Sequence, residues 1–120
     1  MLSPALKRIF AKFFRMASGR EPVRDWLMEL ALEDRKTVGT DIKDVEFRWP
    51  IGKPLAAPLG RGLWEVRSDI RDGIARVIFY VPGNQMILLH GFVKKTKKTP
   101  KPDLDLAFKR KKEHMKGEVS

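Results

Sequence analysis

Three apolar runs of strand length, residues 63–68, 74–81 and 86–94, follow one another with only SDIRDG and PGNQ between them. Both connectors are rich in residues that close tight turns, and a parallel return would need a crossover of a dozen residues or more. The second half of the chain is therefore an antiparallel meander, and the rest must cover it. Side chains alternate across a strand, so Trp64, Val66, Ala75 and Val77 share a wholly apolar face that has to lie under helices.

The covering elements are legible upstream. Pro22 sits where the first turn of a helix tolerates a missing N–H, and Val23, Trp26, Leu27, Leu30 and Ala31 follow helical spacing, which predicts a helix over 22–32. A second helix, about 34–47, carries Val38, Ile42 and Val45 and is weakened by Gly39. LKRIFAKFFR alternates as a strand, with Ile9, Ala11 and Phe13 on one face and Phe10, Lys12 and Phe14 on the other. WPIGKPLAAPLGRG, residues 49–62, holds three prolines and three glycines and reads as a loop. Its closing glycines lack the strand before and helix after that a phosphate-binding fingerprint requires. Pro102 and Asp103 open a last helix with Leu104, Ala107, Phe108 and Met115 on one stripe. The expectation is one α+β domain over residues 1–120: two N-terminal helices packed on a twisted antiparallel sheet of about four strands, plus a C-terminal helix.

Charge narrows the partners. Twenty-five Lys and Arg against 15 Asp and Glu give a net charge of +10, a field that attracts phosphate polymers or anionic surfaces. With no cysteine there is no disulfide framework or thiolate metal site, and a reducing cytoplasm is the natural compartment. Two histidines argue against a protein-only metal site, no cofactor motif is present, and the apolar runs are too short and too often broken by Lys or Arg to span a membrane.

Folding the hairpins on paper locates the chemistry. If Ser68 pairs with Gly73, Arg67 lies opposite Ile74, Glu65 opposite Arg76 and Leu63 opposite Ile78. If Val81 pairs with Met86, Tyr80 lies opposite Ile87 and Arg76 opposite Gly91, which leaves room above the arginine. The same parity puts Lys95 with Arg67, Arg76 and Tyr80, and His90 among Phe79, Leu88 and Phe92. One open face thus collects Glu65, Arg67, Arg76, Tyr80 and Lys95. Such a set suits cleavage of RNA by the neighbouring 2′-hydroxyl, which needs a base, fixed cations against the pentacovalent phosphate, and an acid for the leaving oxygen. Glu65, Tyr80 or a lysine depressed by the arginines can exchange the proton. Glu65 is equally readable as a plain ion-pair partner of Arg76, His90 as a core histidine, and His114 as a solvated position near a fraying helix end. Lys94, Lys97, Lys98, Lys101, Lys109, Arg110 and Lys111 read as electrostatic grip on RNA.

PLGRGLWEVRSDIRDGIARVIFYV, ILLHGFVKKTKKTP, the Lys/Arg-rich final helix and SGREPVRDWL at 18–27 together resemble the HigB-type, phage-associated branch of the RelE/ParE toxin superfamily. The resemblance implies a type II toxin that cuts mRNA on the translating ribosome and is neutralised by a helix-turn-helix antitoxin, with a terminal helix that can be displaced. It carries phosphate-stabilising roles onto Arg67, Arg76 and Lys95, with Lys94 adjacent. Some relatives have a second lysine where Glu65 stands, or a terminal tyrosine or histidine cluster that is absent here, so no proton-transfer residue carries over. The superfamily also holds ParE-like gyrase inhibitors that cut no RNA, and a basic phage-derived nucleic-acid-binding module is a third reading.

Overall fold

Local signals set most of the elements in the computed structural model, which describes residues 6–94 and 98–119. Strand β1 is Phe10–Phe13; helices α1 and α2 are Pro22–Glu29 and Leu32–Arg48; strands β2 to β5 are Ala56–Gly60, Leu63–Ile70, Gly73–Tyr80 and Gln85–Lys94; helix α3 is Lys101–Val119. Pro22 opens α1 as its spacing requires. The helix stops three residues earlier than its apolar spacing predicts. Arg35 of α2 donates to the carbonyls of Leu27, Met28 and Leu30 at 3.0, 3.0 and 3.2 Å, satisfying the exposed C-terminal end of α1 and fixing the angle between the helices.

The sheet runs β1-β5-β4-β3-β2. It has five strands rather than about four, and it is mixed: β1 pairs with β5 in parallel, while the other three pairings are antiparallel. The α+β class stands and the purely antiparallel sheet does not. The extra strand, β2, lies inside the segment expected to be a loop. Pro58 cannot donate to a ladder, but β2 is an edge strand and Pro58 is exposed. Buried Glu46 of α2 anchors β1: its carboxylate accepts from the Ala11 amide at 2.8 Å and pairs with Lys7 at 3.1 Å, and its carbonyl accepts from the amides of Arg8 and Ile9.

The sheet carries a core on each side. Val66, Ala75, Val77, Phe79, Met86 and Leu88 meet Val23 of α1 and Val38, Ile42 and Val45 of α2, so the apolar face is covered as expected. On the other side Leu63, Ile78, Tyr80, Ile87 and Leu89 meet Ala107, Leu104 and Phe108 of α3. The face expected to be open is therefore roofed by the last helix. Met115, placed on its apolar stripe, is exposed instead.

Candidate functional site

The hairpin register differs from the paper fold in two informative ways. β3 continues to Ile70, so the turn is Arg71 and Asp72, and Arg67 sits opposite Arg76 with Glu65 opposite Ile78. The pairing has moved by two residues, which leaves every side chain on its expected face. In the next hairpin Tyr80 lies opposite Ile87 as expected. A bulge at Leu89 then shifts the ladder by one, so that Ile78 meets His90, Val77 meets Gly91 and Arg76 meets Phe92. This odd shift exchanges faces. Gly91 turns to α1, where an added Cβ would come within 2.3 Å of the Trp26 ring, so its missing side chain makes room for Trp26 and not for Arg76. His90 turns to the α3 side and stacks on Phe92, away from Phe79 and Leu88. With the bulge, strand parity no longer assigns Lys95 to the arginine face; Lys95 and Lys97 lie outside the described residues.

The α3 side thus receives Glu65 and Arg67 from β3, Arg76 from β4 and His90 from β5. Two guanidiniums placed directly across a ladder repel, and Glu65 is what makes the pair tolerable. Its Oε2 accepts from Arg67 Nε at 2.6 Å and lies 3.8 Å from Arg76 Nη1; its Oε1 accepts from the Thr99 hydroxyl at 2.6 Å. That hydroxyl in turn accepts from Arg76 Nη1 at 3.1 Å. Glu65 and Arg76 are both 0% exposed. Burial pushes the Arg76 pKa down from the ordinary arginine value, Glu65 opposes the shift and Arg67 adds to it. Arg67 is different: its side chain is 31% exposed and the Glu65 bond uses only its Nε. The unit is a buried ion pair with a second, solvent-facing cation mounted on it.

Tyr80 shares the face but not the place. It stands four residues from Arg76 on β4, about 13 Å along the strand, where its hydroxyl is hydrogen-bonded to His114 Nδ1. His114 is therefore packed against the sheet rather than solvated. His90 Nε2 and Asp103 Oδ1 share a bond of 2.6 Å, and since an ionised carboxylate only accepts, Nε2 carries the proton. Burial lowers the His90 pKa below 6.5, the Asp103 hydrogen bond and charge resist, and Arg110 lowers it further. Thr99, Asp103, Arg110 and His114 recur at helical spacing beside the apolar stripe. That polar stripe was present in the sequence and overlooked.

Of the cations expected to grip RNA, Lys94, Lys98, Lys101 and Lys109 are exposed, Lys101 pairing with Asp105 at 3.2 Å. Arg110 and Lys111 instead hold α3 down. Arg110 donates to the carbonyl of Leu89, the bulged residue, at 2.8 Å, and Lys111 donates to the Arg61 carbonyl at 2.5 Å. Among the described residues no group of three or more His, Cys, Asp or Glu side chains is placed to hold a metal ion, and no helix is long and apolar enough to cross a membrane.

A mixed sheet between two helical layers, with a charged network under a basic last helix, defines a small α+β domain organised to present fixed cations. Residues 25–112 match the family model described as phage derived protein Gp49-like (DUF891), and the chain belongs to that family, which is toxin-like and related to the RelE/HigB type. No curated protein matches the chain.

Proposed function

We propose that this protein is the toxin of a type II toxin–antitoxin pair, of the HigB-type branch, and that it cleaves mRNA on the translating ribosome in the cytoplasm. The observation that carries the reading is the Arg67–Glu65–Arg76 unit, in which a solvent-facing guanidinium is fixed by a buried carboxylate that also lies 3.8 Å from a second, buried arginine. Arg67 meets the scissile phosphate through its terminal nitrogens. Arg76 acts from behind, adding positive potential at the same point and facing the Glu65 carboxylate at 3.8 Å. Both Glu65 oxygens are engaged, so it orients rather than shuttles protons. His90, held by Asp103 on the same side of the sheet, is a neutral ring whose Nδ1 can take the 2′-hydroxyl proton and, once protonated, give a proton to the leaving 5′-oxygen. Tyr80 lies too far along β4 to serve the same phosphate. Lys95 keeps the phosphate-contacting role that the resemblance gives it, Lys94, Lys97, Lys98, Lys101 and Lys109 supply attraction to ribosomal RNA, and a helix-turn-helix antitoxin is the neutralising partner.

A translation reaction programmed with a defined message, read by primer extension, tests this. Breaks that need ribosomes and vanish with Arg67→Ala are expected. Absence of breaks together with inhibition of gyrase supercoiling would replace the reading with the ParE-like one.

A further inference from the structure

Where β3 approaches its turn, α2 and the incoming loop leave a concavity of about 500 Å³ whose lining includes Asp41, Lys53, Leu55, Arg67, Asp69 and Ile74. Its walls are braced. The Arg67 amide donates to the Leu55 carbonyl at 3.0 Å, and Arg71 in the turn reaches Glu33 at 3.4 Å and, through its amide, Asp34 at 3.5 Å on α2. Thr37, also in the lining, donates to the Glu33 carbonyl at 3.1 Å, and other polar groups facing the space are unspent. Among the described residues the side chains of Asp41, Asp69 and Lys53 make no hydrogen bond or ion pair, and the terminal nitrogens of Arg67 make none either.

Two carboxylates can only accept, so an occupant must bring N–H donors. Leu55 and Ile74 ask for a flat or apolar body between those donors, and the terminal nitrogens of Arg67 at the rim ask for an anion. A nucleotide meets all three conditions, and the carboxylates select among bases. Guanine presents N1–H and the 2-amino group side by side on its Watson–Crick edge. Uracil offers one N–H flanked by two carbonyls, each of which would face a carboxylate oxygen. We propose that this concavity is a base-recognition subsite that takes a guanine nucleotide, its Watson–Crick edge on Asp69 and Asp41 and its phosphate on Arg67. The subsite deepens the RNA-cleavage reading and rests on it for its biological meaning, because the same Arg67 would then fix the cleaved linkage next to a chosen base.

Titration of isotope-labelled protein with guanosine monophosphate and with uridine monophosphate, followed by backbone amide shifts, tests it without requiring cleavage. The expected result is perturbation at Leu55, Asp69 and Ile74, with the guanine nucleotide bound about tenfold more tightly. Asp69→Asn or, separately, Asp41→Asn reduces that preference, while Arg67→Ala weakens both nucleotides alike. Equal affinities, no perturbation at these amides, or shifts confined to the exposed lysines of α3 would overturn the subsite. Message breaks by the wild-type chain combined with equal affinities would remove the subsite and leave cleavage standing; a guanine preference without breaks would do the reverse.

Discussion

The two faces of the sheet are built on different principles. Under α1 and α2 the sheet offers Val66, Ala75, Val77, Phe79, Met86 and Leu88, and between the layers the buried contact is mainly apolar, with polar ties at the sheet's margins. Under α3 the same strands bury Glu65 and Arg76 completely, beside a smaller apolar cluster. Removing two charges from water costs more than their attraction reliably returns, and well-packed apolar residues in their place are often more stable. The contrast teaches that the α1/α2 face is arranged for stability, whereas the α3 face buries a charge pair that stability alone does not call for.

The largest effect that would break this comparison comes from dividing the charge pair. Glu65→Ala takes the carboxylate away from the buried Arg76 and should cost about 3–5 kcal/mol in urea unfolding. Replacing both, as Glu65→Leu with Arg76→Met, should return the loss and reach a chain as stable as the wild type, or about 1–4 kcal/mol more stable, while abolishing message cleavage. A double variant no more stable than the single one would mean that the buried pair is a net stabiliser and that the faces do not differ as described.

Thr99→Val probes the bridge. The hydroxyl both donates to Glu65 and accepts from Arg76, and its loss should cost about 1–3 kcal/mol, smaller than dividing the pair because the ions still face each other at 3.8 Å. A loss equal to that of Glu65→Ala would assign the network's stability to the hydroxyl.

The smallest effect is a pH dependence on the α3 face. The folded pKa of His90 lies below 6.5, so the unfolded chain binds the proton more readily. Its contribution is fully present above about 6.5 and is lost as pH falls through the lower folded value. Melting temperatures from pH 7.5 down to 5 should therefore fall more steeply for the wild type than for His90→Gln. Parallel curves would show that this histidine does not titrate differently on folding.

The faces also separate what the sequence made legible from what it did not. Helical spacing and strand alternation are local, and they located all three helices, four of the five strands and the covered face. The turn error at Ser68 was harmless, because a shift of two residues preserves sidedness. The bulge at Leu89 has no signature in HGFVKK, yet as a shift of one it reversed His90 and Gly91 and removed the parity that had grouped Lys95 with the arginines. β2 was missed because its prolines and glycines deny it any local strand signal; it exists through pairing with β3. The parallel direction of β1 is likewise set by anchorage on Glu46 rather than by its own residues. Arg76 read as a surface cation because charge is seldom buried. The proximity of Glu65 and Thr99, 11 residues before and 23 after it, helps to permit its place in the core.

The central claim, that Arg67 is the cation which stabilises the breaking phosphate, is most directly tested by single-turnover cleavage of a defined message on programmed ribosomes. Wild type and Arg67→Ala should be compared under conditions where both are shown to be folded. The account predicts a fall of about 10²- to 10³-fold in the cleavage step with Lys36→Ala, an exposed cation on α2, close to the wild-type rate. An Arg67→Ala chain that cuts as fast as the wild type would contradict it.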